Sequence, residues 1–136
     1  MRGLSVAMLL ALVACAPESA PKQSEGAAQK AVMDASTKAY ADCITDTIDK
    51  TDVNNDAAGA VANRIMLACK EKRNRLLADV IVFHQIGHPK FTIDQSKAVA
   101  EASIATIEDE LRRQTIVTIV SLQIEAIPDA EPEKVK

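Results

Sequence analysis

His84 and His88 stand four residues apart, the spacing at which one helical face can offer two imidazoles to a metal ion. Gly87 and Pro89 flank His88 and interrupt a helix there, so the commoner reading is polar groups at a helix end. Cys69 cannot complete the set, because the interval to His84 spans about 22 Å along a helix axis. Asp52-Val53-Asn54-Asn55-Asp56 places oxygen side chains at the first, third and fifth positions of a calcium loop. Ala57 then stands where such a loop needs glycine, and Asn63 where it needs a bidentate glutamate, so the stretch reads as a capped interhelical turn. Lys70, Lys72, Arg73 and Arg75 form a basic run broken by Glu71, with Arg112-Arg113 available beside it. Such a run can meet lipid phosphates or acidic glycans, and otherwise makes a solvated face with ordinary ion pairs. No Gly-x-Ser-x-Gly elbow occurs, and four glycines leave little material for a phosphate-cradling loop. Carboxylates such as Glu108 and Asp109 fall on a surface-like face. No catalytic residue and no cofactor are assigned, and the chain is expected to be non-enzymatic.

The address is written in the first fifteen residues. Arg2 precedes an apolar run from Leu4 to Ala14, broken only by Ser5, and no acidic residue occurs before Glu18. This is the pattern of a secretory signal, and it is shorter than the about 18 apolar residues of a membrane span. Leu12-Val13-Ala14-Cys15 resembles the lipobox of bacterial lipoproteins. The resemblance implies removal of residues 1–14 and lipidation of Cys15 with palmitate or a similar acyl group. The product would be anchored to the cell envelope. Ala16, not aspartate, follows the cysteine, which in that class implies the outer membrane, facing the periplasm, if the source is Gram-negative. Ordinary cleavage around Ala14-Cys15-Ala16 is the competing reading, and it would leave the poorly tolerated Pro17 at the new terminus. The resemblance covers about a tenth of the chain and does not extend to residues 28–127.

Lipidation would consume one of three cysteines and leave Cys43 and Cys69, which an oxidising compartment favours joining as a disulfide. Loss of Arg2 with the signal takes the formal charge from -3 to -4, an acidity that argues against nucleic acid as a partner. Tyr40, Phe83 and Phe91 are the only aromatics, so the core must be aliphatic and little is present to stack a base or sugar.

The elements that must position these residues are helical. Residues 15–27, carrying Pro17 and Pro21, read as a lipidated cysteine and flexible tether. A first helix is expected from about Ala28 to Val53, with Met33, Tyr40, Ile44 and Ile48 on its apolar face. After the Asn54-Asn55-Asp56 turn, a second series runs Val61, Ile65, Cys69, Leu76, Val80, Phe83 and should stop near Gly87. Cys43 and Cys69 are equidistant from position 56, as an antiparallel hairpin turning there requires. Thr92 and Gln95 form a capping box that starts a third helix carrying Val99, Ala102, Ile104, Ile107 and Leu111. The β-branched run Thr115 to Val120 admits a strand, but no second strand is available to pair with it. The expected fold is therefore all-α, a three-helix up-down-up bundle with one interhelical disulfide over residues 28–127 and a tail at 128–136.

Near its end the third helix would carry Gln114, Thr118, Ser121 and Glu125 on a narrow polar strip. Ile116, Val117, Ile119, Val120, Ile124 and Ile127 occupy the rest, either as core or as a surface for a second copy or an envelope protein partner. The function expected is an interaction or structural role in the envelope. The alternative is a small-ligand or metal-binding periplasmic carrier with a cleft between helices, His84 and His88 among its residues.

Overall fold

The computed structural model describes residues 20–127; the signal-like residues 1–14, Cys15 and the tail 128–136 lie outside them. The chain forms four helices, α1 (Ala20–Ile48), α2 (Ala58–Ala68), α3 (Lys70–Gly87) and α4 (Ile93–Glu125), and no strand among the described residues. The β-branched run at 115–120 is helical.

The expected three-helix bundle is corrected to four helices, because the second rod is broken at Cys69. There the backbone turns to φ −92°, ψ 13°, and the Cys69 N–H lies 3.2 Å from both the Ile65 and Met66 carbonyls. Such a shared bond tightens the last turn of a helix. Regular winding resumes as Arg73 N–H donates to the Cys69 carbonyl at 3.1 Å. The break divides the packing: α3 lies chiefly along α1, while α2 lies chiefly along α4. Cys69 itself is bonded to Cys43, with their Cα atoms 5.9 Å apart, so the disulfide joins α1 to the rod at its break.

Two boundaries differ from expectation. Helix α1 is described from Ala20 onward, so residues 20–27, expected as part of a flexible tether over 15–27, are helical. Its turns from Gly26 onward run beside α3. Gly26 faces Ile86, and Gln29 Nε2 donates to the Asp79 carbonyl at 3.1 Å. At its other end α1 stops at Ile48, short of the expected Val53. Val53 enters the core from the connecting turn instead.

The core is aliphatic apart from Tyr40. Ile44 and Ile48 from α1, Val61, Ala62 and Ile65 from α2, Leu76 from α3, and Ile104 and Ile119 from α4 form one cluster. The expected inward row of α4 holds at Ile104, which is fully buried, and at Leu111, which packs against the core, but not at Val99 and Ala102, which are exposed while Ser96 and Ala100 are fully buried. Small residues at 96 and 100 let α4 approach α3 closely just after the Thr92–Gln95 capping box, which is present. Among the described residues no helix is long and apolar enough to cross a membrane.

Candidate functional site

The middle of the bundle is tied by charge. Arg73 on α3 donates from Nε at 3.0 Å and from Nη2 at 3.2 Å to the two oxygens of Glu108 on α4. Tyr40 on α1 donates its hydroxyl to the same carboxylate at 3.3 Å. Glu108, read from sequence as a surface carboxylate, thus faces inward and joins three helices. Burial, then the neighbouring Glu108 charge and hydrogen bond, push the Tyr40 phenol up to about 12. The Glu108 hydrogen bond raises the Arg73 guanidinium further, against the opposing effect of burial. Another carboxylate, Asp79, is buried and accepts from Ser36 Oγ on α1 and from Arg75 Nε at 3.1 Å. The Arg73–Glu108 pair lies along an open groove between α4 and the α2–α3 junction, while the Asp79 carboxylate is buried away from it. Both are placed to fix the register of α1, α3 and α4.

The basic run does not act as one patch. Arg73 and Arg75 are taken by Glu108 and Asp79, and Lys72 lines a separate groove with Asp42 and Asp46. Lys70 and Arg112 remain together on an open groove of about 510 Å³ between α4 and the α2–α3 junction. Arg113 turns away to pair with Glu110 on its own helix.

His84 and His88 are brought together, but with an aromatic ring. Their ring centroids lie 4.6 Å apart, and those of His84 and His88 lie 5.1 Å and 5.4 Å from that of Phe91. His84 Nδ1 is within 3.1 Å of the buried Ser96 hydroxyl. This arrangement packs the α3–α4 corner, and no group of three or more metal-ligating side chains occurs among the described residues. In the Asp52 turn, the carboxylate accepts from Asn54 N–H and Asn55 Nδ2, each at 3.0 Å, while Asp56 pairs with Arg64 at 2.7 Å. Asp52 thus closes the turn, but the expected side-chain cap is corrected: α2 starts after Ala57 with no side-chain cap hydrogen bond, and the Asp56 carboxylate is drawn to Arg64 instead.

The face expected to run from Ile116 to Ile127 is split, and its extent is corrected. Ile119 is fully buried and Ile116 packs against the core, whereas Val117 is 65%, Ile124 63% and Ile127 69% exposed, with Val120 also exposed. Successive residues turn by about 100°, so with Ile119 inward Val117 must point outward. The sequence could not set this phase, because the inward row higher on the helix includes Ser96, Glu108 and Thr115 as well as apolar residues.

Among the described residues the architecture is thus an all-helical bundle with the Cys43–Cys69 disulfide. Protein-family models, curated proteins and solved structures contain no match to the chain.

Proposed function

We propose that this is a lipid-anchored, non-enzymatic protein of the bacterial cell envelope, held to a membrane through Cys15, that works by protein contact through the solvent face of α4. The observation that carries the contact reading is the exposed row Val117, Val120 and Ile124 on α4, with exposed Ile127 just past the helix end. Its helical steps of three and four residues match the seam that one amphipathic helix offers another. The intended counterpart is therefore an apolar helix face on a second envelope protein. The anchor is supported by Leu12-Val13-Ala14-Cys15, which lies outside the described residues.

A photo-crosslinking residue at Val120, with Lys38 on α1 as the control position, tests the contact in cells. One dominant protein should be captured at position 120 and not at 38, and Ile124→Asp should abolish the capture. A dimer of this chain joined through position 120 would replace that partner with a second copy. Labelled palmitate should enter the wild type and not Cys15→Ser; unprocessed, cytosolic chain would overturn the anchor.

A further inference from the structure

We propose that the groove between α4 and the α2–α3 junction binds a small amphiphilic oxyanion, a phosphate or carboxylate head on an apolar body, with Lys70 and Arg112 holding the head. The inference is independent of the contact face on α4. It starts from where the charges go. Arg73 and Glu108 both line this groove, and Arg73 is held by both oxygens of Glu108, which leaves that carboxylate little capacity to neutralise other cations. Lys70 has no carboxylate at ion-pair distance among the described residues, and Arg112 donates only to the neutral amide oxygen of Asn63. With Glu108 balancing Arg73, the groove keeps the two positive charges of Lys70 and Arg112. A cation is thereby disfavoured and an oxyanion favoured.

The polar surroundings complete the match. Asn63 uses its oxygen for Arg112, so its amide nitrogen remains a donor, and Asn74 lines the same groove. Lysine, arginine and amide N–H groups converging on one space are the donors that phosphate and carboxylate oxygens accept. The apolar body follows from size and lining. At about 510 Å³ the groove lies within the range of about 300–1,000 Å³ typical of small-molecule sites, several times the size of one oxyanion. Leu67 lines it while 69% exposed, a large apolar side chain set beside the cations and open to a ligand's hydrocarbon. The break at Cys69 creates the site, since it lets α2 carry Leu67 and Asn63 toward α4 while α3 presents Lys70 and Asn74.

Calorimetric titration of the purified full chain with octyl phosphate, below its micelle-forming concentration, tests the proposal. Saturable one-site binding is expected, with inorganic phosphate about tenfold weaker or more, and with neutral octyl glucoside showing none. Lys70→Gln and Arg112→Gln should each weaken octyl phosphate binding by about tenfold, the loss of one charge-assisted contact. Lys72→Gln, on the separate groove, should leave it unchanged. Both target side chains are exposed, and unaltered helical circular dichroism verifies that the variants fold. Absence of saturable binding by both octyl phosphate and decanoate would overturn the site. Undiminished affinity in the double variant, or equal affinity for octyl glucoside, would overturn the role of the cations. Equal affinity for inorganic phosphate would overturn the apolar half.

Discussion

The Tyr40 hydroxyl lies 3.3 Å from Glu108 Oε1, so the sole tyrosine of the chain donates to a carboxylate on another helix. Ionising it would place a phenolate in the interior against an existing negative charge, which is why its pKa is pushed up to about 12. The sign for stability follows. A pKa raised on folding means the native state holds the proton more tightly, so the contribution is full below about 10 and is lost as pH rises toward about 12. With one tyrosine and no tryptophan, the phenolate absorption band reports this single group. The band should rise near pH 12 in the native chain and near its ordinary value in denaturant. Tyr40→Phe should remove about 2–3 kcal/mol of the stability lost over that alkaline window, measured by urea unfolding at several pH values.

Arg73 and Glu108 make a two-pronged pair in a partly buried setting, with side chains 29% and 25% exposed. Removing one partner leaves the other charge half-buried and also deprives Tyr40 of its acceptor in one case. Arg73→Met and Glu108→Leu should each destabilise by about 1–3 kcal/mol, discounted for the water that reaches the pair. The double variant should lose less than the two single losses combined, because neither charge is then stranded. Urea midpoints for the four proteins of this cycle give the coupling, and strict additivity would refute the pair's role.

The relation between Cys43 and Cys69 was legible because it depends on sequence distance from a turn, a quantity that antiparallel helices conserve. The rod break at the same cysteine was not, since neither glycine nor proline marks it and the shared N–H bond at Cys69 is set by packing on α1 and α4. Helix α4 shows the same boundary between what pattern can and cannot convey. Its inward-facing row includes buried Ser96, which meets His84, and half-buried Glu108, which meets Arg73 and Tyr40. A search for apolar periodicity passes over such positions and selects Val99 and Ala102 instead, which face water. The groove was only half visible: the basic run stood out, but which of its members lack a carboxylate depends on Glu108 and Asp79 arriving from other turns.

The disulfide closes a sequence separation of 26 residues that spans the α1–α2 turn. In the chain-entropy account a loop of that size restricts the unfolded state by about 3–4 kcal/mol. Cys43→Ala with Cys69→Ala should therefore lower the unfolding free energy by about that amount, and reduction of the wild type should approach the same value. Unfolding of oxidised and reduced chain in urea provides the comparison. An equal midpoint for both would show that the bond contributes nothing beyond the packing around it.

Gln123 performs a second closure at the same end of the bundle. Its Nε2 donates to the carbonyls of Val53 and, at 2.8 Å, Asp56, so the end of α4 holds the irregular turn whose Val53 fills the core. A single amide thus satisfies two backbone oxygens that no helix can serve, since both lie between α1 and α2. Gln123→Leu keeps much of the side chain's volume but removes both donations. It should cost about 1–2 kcal/mol in urea unfolding, with faster amide exchange around Val53 while exchange in the middle of α3 changes far less. The disulfide continues to tie α1 to Cys69 in that variant, so opening should remain confined to the turn. Uniform acceleration across α1, α2 and α3 would show instead that the turn and the bundle unfold as one unit.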